Sequence, residues 1–309
     1  MTKEALRAIV MASKGGMTMK ISTSPGHGVA AGLSAAESLK TMKEAGFEGI
    51  DWGLCPSPEH PETMFDSEWA RKVLEVARLA KEEGLKLAQS HLPYGPGHLD
   101  NPGDGSAKAF GEVWLPCYER ALEICAMGGC DLAVLHPMYM LEGYEQTVEA
   151  NLYLIDRIMP IVRQTGIRLA FENVFARRNR RYIKAYVEEA RTIAAIVDGA
   201  NSPLVGACMD TGHANIFRYD ISEYARELGS RLIALHVNSN AGEDEHLIPY
   251  TASGWCERMD FGAFTKTLGE IGYRGWYNLE ITGGRFPAEA AKPFYEFAAL
   301  VARSLIAAG

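Results

Sequence analysis

No stretch of this 309-residue chain approaches the roughly 20 consecutive apolar residues that a membrane-spanning helix needs, so a helical membrane protein is excluded. Positive charge is in short supply too. The formal net charge is -8, which argues against nucleic acid as the main partner, because phosphate contacts need a basic face. The six cysteines (Cys55, Cys117, Cys125, Cys130, Cys208 and Cys256) contain no CxxC pair. Scattered through a large chain with no secretory leader, they imply free thiols in a reducing, cytoplasmic setting. Residues 1–16 hold a short helical pattern from Lys3 to Met11, then Lys14-Gly-Gly, without a cleavage site; they are expected to be an extension outside the main domain. No GxGxxG follows the first strand pattern, which removes the main support for a doubly wound dinucleotide fold.

What is present is ordinary in bulk and specific in order. Hydrophobic residues make up 47% and charged residues 23%, as in soluble globular proteins. From Lys20 onward the chain repeats one event: a short apolar run bounded by turn signals, then a helix-spaced stretch. The strand patterns are Lys20–Thr23, Gly49–Leu54, Leu85–Ser90, Asp131–Leu135, Ile167–Phe171, Leu204–Met209, Leu232–Leu235 and Trp276–Leu279. The spacing predicts helices over Ser34–Ala45, Ser67–Glu83, Lys108–Met127, Tyr144–Gln164, Tyr182–Val197, Ile221–Leu228, Asp260–Ile271 and Ala288–Ala307. Ser34 with Glu37 three residues on is a capping-box pattern. Eight strand–helix units without a linker fit one closed (β/α)8 barrel over residues 17–309. The loops after the strands are long and those after the helices short, which puts an active site on the C-terminal face.

That face is where the chemistry-capable residues fall. Glu172, Asp210, His236 and Glu280 end four consecutive strands, and in a barrel consecutive strands are neighbours. One strand-end Glu or His is ordinarily a capped or solvated loop residue; four in succession point to a shared cation. Three carboxylates and an imidazole suit Mn2+, Co2+ or Mg2+, with Zn2+ also accommodated. His91 and His136 end the third and fourth strands, His213 lies one turn past Asp210, and Asp244 and His246 lie in the long loop after the seventh strand. These five are candidates for substrate contacts or for a second metal. Arg177 and Arg178, just past the fifth strand, are candidates for an anion clamp, since guanidinium groups bind phosphate and carboxylate bidentately. Trp52 and Trp255 lie nearer the mouth and read as either sugar-pocket wall or core, whereas Trp69 and Trp114 sit in helical patterns and read as core.

The series SHLPYG, LHP, FEN, MDTGH, LHVNS, DEH and LEI, in that order over about residues 19–309, resembles the xylose-isomerase-like TIM-barrel superfamily of sugar and sugar-phosphate isomerases and epimerases, which also includes endonuclease IV. In the ketose 3-epimerase branch, the resemblance implies that Glu172, Asp210, His236 and Glu280 ligate one divalent ion and that Glu172 and Glu280 double as an acid/base pair. In the endonuclease IV branch it implies three zinc ions held by all nine strand-end and loop residues. The segment from Asn238 to Glu243 is short and runs into three carboxylates, Glu243, Asp244 and Glu245, unlike the DNA-facing segment that endonuclease IV implies. Against the epimerase pattern, Gly242 stands where a substrate-binding Arg is expected.

The resulting expectation is proton transfer on a small hydroxy-carbonyl sugar through a metal-stabilised enediolate. Return of the proton to the same carbon gives an epimerase, and return to its neighbour gives an isomerase. Dehydration of a cyclitol, zinc-cluster phosphodiester hydrolysis and a non-catalytic sugar-binding barrel are the alternatives. Homodimers or homotetramers are what the resemblance implies for assembly.

Overall fold

The computed structural model describes residues 19–55, 61–94, 113–140, 143–252, 259–282 and 286–309. The N-terminal extension, Trp255 and Cys256 lie outside these described residues. Strands run in chain order β1 (Ile21–Thr23), β2 (Gly49–Gly53), β3 (Lys86–His91), β4 (Leu132–Leu135), β5 (Arg168–Glu172), β6 (Ala176–Arg178), β7 (Arg181–Ile183), β8 (Val205–Asp210), β9 (Leu232–His236) and β10 (Tyr277–Leu279). Eight of them form one parallel sheet in the order β10-β1-β2-β3-β4-β5-β8-β9. The ring closes where Val237, just past β9, bridges Leu279 in parallel and donates its N–H to Asn278 O at 2.8 Å. Only β6 and β7 stand apart, as an antiparallel hairpin.

The helices are α1 (Gly26–Ala30), α2 (Ala35–Ala45), α3 (Ser67–Glu82), α4 (Leu115–Gly128), α5 (Tyr144–Thr165), α6 (Ala190–Ala200), α7 (Thr211–Ile216), α8 (Ile221–Leu228), α9 (Phe261–Glu270) and α10 (Ala291–Ala308). Local chemistry sets their ends. The Ser34–Glu37 capping box forms as expected, and α2 stops at Gly46, whose φ of 101° suits a residue without Cβ. Asp66 and Asp220 cap α3 and α8 through backbone N–H groups of their first turns. Pro116 near the start of α4 costs nothing there, because first-turn N–H groups have no helical partner.

Period-two alternation divides the strand residues between two cores. Outward side chains such as Ile50, Phe171 and Leu235 join Tyr118, Phe264 and Tyr295 in the large apolar layer beneath the helices. Each large side chain buried there contributes roughly 1.5–3 kcal/mol. Inward side chains form the barrel interior, where Leu132, Val134, Ala170, Cys208 and Ala234 make a small separate cluster.

Two expectations fail here. The helix predicted over Tyr182–Val197 is replaced at its start by the β6–β7 hairpin, and α6 begins only at Ala190. Asn179 and Arg180 both take positive φ (51° and 61°), the requirement of a two-residue turn that matches strand twist. Tyr182 and Ile183, aromatic and β-branched, then favour the returning strand. Trp52 is also not a pocket wall. It is only 2% exposed and lies against Gly128 of α4, where a Cβ would meet its ring at 2.5 Å.

Candidate active site

The C-terminal rim of the barrel brings Glu172, Asp210, His236 and Glu280 together: one ligand-type atom from each lies within 4.8 Å of the others. Glu172 Oε1 is 2.9 Å and Glu280 Oε2 3.1 Å from the same atom, His236 Nδ1. Two further groups meet the same distance criterion. His91 and His136 join Glu172, and His213 and His246 join Asp210. His91 Nε2 and His136 Nε2 stand 3.3 and 3.2 Å from Glu172 Oε2. Asp244 Oδ1 is 2.8 Å from His246 Nε2 and 3.6 Å from His213 Nε2. All nine sequence candidates for ligation or substrate contact thus occupy one rim.

Supporting residues hold these groups. Asp210 caps α7, accepting from His213 N at 2.6 Å, and its other oxygen accepts from Asn238 Nδ2 at 2.7 Å. Asn173 extends the β5–β8 ladder by side chain, donating to Asp210 O at 2.9 Å and accepting from Asp210 N at 2.7 Å. The loop after β9 turns through Gly242 (φ 105°) and His246 (φ 50°), delivering Asp244 and His246 inward. Positive φ is uncommon for a side-chain-bearing residue, though histidine is enriched there.

The hairpin forms one wall. Phe175 packs edge-on against His213, with centroids 4.9 Å apart. Arg177 stacks over Phe175 and Tyr182, donates to Tyr182 OH at 2.6 Å, and lies 3.8 Å from Asp244 Oδ2. The same Tyr182 OH accepts from Asp244 N at 2.9 Å. Arg177 therefore stands at the rim beside the site. Arg178 is exposed, as Arg177 is, and lies opposite Arg181 in the hairpin.

Beneath the rim lies a layer that the sequence reading missed. Asp51 Oδ2 accepts from Gln89 Nε2 at 3.1 Å and from Asn278 Nδ2 at 2.7 Å, and Ser22 Oγ donates to Asn278 Oδ1 at 2.8 Å. All four are buried and point inward from β1, β2, β3 and β10. Alternation was the available signal: residues two before His91 and Glu280 must face the interior as they do. Cys55 was also overlooked; its Sγ lies 3.2 Å from His91 Nδ1.

Charge is concentrated in this buried place. Burial by itself would raise the Glu172 carboxyl, but His236, His136 and His91 together hold it well below the usual carboxylate range. Burial pushes Asp210 up to about 7 against the pull of His213. Burial would lower His213, yet Asp210, Asp244 and Glu172 raise it to about 9. Burial also pushes the Asp51 carboxyl up, with His236 opposing.

Three observations fit a bound divalent cation. The donor set is buried nitrogen and oxygen, as Mn2+, Co2+, Mg2+ or Zn2+ prefer. Glu280 Oε2 is buried without a well-aligned hydrogen bond, although two imidazoles lie close. Ligand-type atoms from three carboxylates and one histidine converge on one point.

A family model described as xylose isomerase-like TIM barrel matches residues 39–297. A ketose 3-epimerase of Arthrobacter globiformis is 26% identical, aligned over 77% of this chain and 74% of its own length. An uncharacterized protein of Sinorhizobium fredii is 23% identical over 81% of each chain. Among solved structures, a D-psicose 3-epimerase crystallised in the presence of D-fructose superposes with a TM-score of 0.69 at 16% identity, covering 94% of this chain and 100% of that one.

Proposed function

The chain belongs to the xylose isomerase-like TIM barrel family, and on that footing we propose that it is a divalent-metal-dependent epimerase of ketose sugars or their phosphates, acting by proton transfer at the carbon beside the carbonyl. The observation that carries this reading is the pair Glu172 and Glu280, whose carboxylates approach one imidazole nitrogen from β5 and from the end of β10. The relative named ketose 3-epimerase and the D-psicose 3-epimerase of similar fold support it.

Glu172, Asp210, His236 and Glu280 would hold a divalent ion, which would supply polarisation of the substrate carbonyl, an effect worth several kcal/mol. Glu280, the more exposed of the two acids at 29% against 1%, takes the proton from the substrate carbon. Glu172, after taking a proton from solvent, delivers it to the opposite face, and Glu280 loses the abstracted proton to solvent. A placed acid/base group contributes roughly 10²–10⁴-fold. His213 and His246 bind substrate hydroxyls, and Arg177 faces an anionic group where one is present.

The test is elemental analysis of the purified protein with a ketose and cyclitol panel run in deuterated water. One Mn2+ or Co2+ per chain and solvent deuterium at C3 of a ketose are expected. Deuterium in no sugar under any metal overturns the reading. A second reading, phosphodiester hydrolysis at a zinc cluster, is favoured by the two additional donor groups, His91–His136–Glu172 and Asp210–His213–His246. Three zinc ions per chain with nicking of abasic DNA would establish it instead.

A further inference from the structure

We propose that Asp51 is the positioning residue for His236: its carboxylate accepts a hydrogen bond from Nε2–H of that imidazole and fixes the tautomer whose Nδ1 lone pair faces Glu172 and Glu280. The inference rests on the metal-dependent reading above. His236 is fully buried. Its Nδ1 is the atom that meets the two glutamates, at 2.9 and 3.1 Å. A neutral imidazole that gives Nδ1 to a cation must carry its proton on Nε2, and a buried N–H needs an acceptor. His236 Nε2 makes no well-aligned hydrogen bond.

Two groups are near enough to accept. Asp51 Oδ2 is 3.9 Å away, too close for an intervening water and about 1 Å from a direct bond. The Cys208 thiol also neighbours the ring and makes a hydrogen-bonding contact with it. Anchoring and acceptor strength favour Asp51. Its Oδ2 already accepts from Gln89 and Asn278, so the carboxylate is held in place inside the barrel. A carboxylate is also a far stronger acceptor than a thiol. Carboxylate partners of ligating histidines fix ring orientation and raise donor strength, and their loss typically lowers metal affinity about 10–100-fold.

Calorimetric titration of the full chain with Mn2+ and Co2+ tests this directly. Asp51→Asn, isosteric and able to keep the Gln89 and Asn278 contacts, should bind about tenfold more weakly or worse, with the apo protein's circular dichroism unchanged. Cys208→Ala should bind as wild type. On the unaltered protein loaded with Zn2+, a 15N–1H spectrum of the histidine rings should show a downfield, hydrogen-bonded Nε2 proton on His236. Equal affinity in Asp51→Asn, or a His236 ring protonated at Nδ1 in the loaded wild type, overturns the assignment. Weakened binding in Cys208→Ala alone would transfer the role to the thiol. A wild type that takes up neither Mn2+ nor Co2+ would instead sink the metal-dependent reading itself.

Discussion

Replacing Glu172 with Gln should cost both stability and turnover, whereas Glu280→Gln should cost turnover with little loss of stability. The asymmetry comes from their surroundings. Glu172 is 1% exposed and stands within 3.4 Å of His91, His136, His213 and His236, so its charge holds four imidazoles. Glu280 is 29% exposed and adjoins only His236 and His246. Removing one partner of a buried ion pair costs about 3–5 kcal/mol. The lower figure applies, because imidazoles left without a carboxylate can shed protons instead of remaining charged. For a chain of 309 residues, about 3 kcal/mol lowers the melting temperature by roughly 4–5 °C. Turnover should fall about 10²–10⁴-fold in both variants. Differential scanning fluorimetry of the metal-free proteins reads the first effect, and NMR-detected loss of the C3 proton from a ketose in deuterated water, at saturating Mn2+, reads the second. Equal melting of the two variants would refute the assignment of unequal charge roles. Wild-type exchange in either would remove it from the acid/base pair.

Three more predictions follow from particular contacts. Asp210, Asp244 and Glu172 raise His213 from 6.5 to about 9 against its burial, so its stabilising contribution is complete below about pH 6.5 and is lost as pH rises through about 9; chemical denaturation at pH 6 and pH 9.5 should show the decline. Asn173→Ala removes both side-chain hydrogen bonds to the Asp210 backbone and should destabilise by about 2–4 kcal/mol, read as a lower urea midpoint with unchanged slope. Arg177→Ala should raise KM for a phosphorylated ketose roughly tenfold and leave a neutral ketose nearly unaffected, as steady-state assays on both would show.

The barrel was legible because each strand pattern ends in a residue whose side-chain direction is fixed by alternation. His91, His136, Glu172, Asp210, His236 and Glu280 all point inward, and a parallel closed sheet leaves them nowhere else to meet. The same rule applied one step further would have found Asp51 and turned Trp52 outward, since adjacent strand residues cannot share a face. That step was obscured because a polar residue inside a strand ordinarily reads as solvated. The hairpin escaped for a different reason. Arg177-Arg178-Asn179-Arg180-Arg181 carries no apolar alternation, and its turn is made by positive φ at Asn179 and Arg180, neither of them glycine. Trp255 remains outside the described residues, so its expected place at the mouth stays a sequence expectation.

The single phenolic oxygen of Tyr182, shared by Arg177 and the main chain at Asp244, ties an excursion after the fifth barrel strand to one that arrives more than 50 residues later. Exchanging either segment for a foreign one would remove the hydrogen bond between them, worth about 0.5–1.5 kcal/mol. Attempts to broaden what this catalyst accepts should therefore randomise the two in tandem, and libraries that vary either alone should mostly yield dead clones.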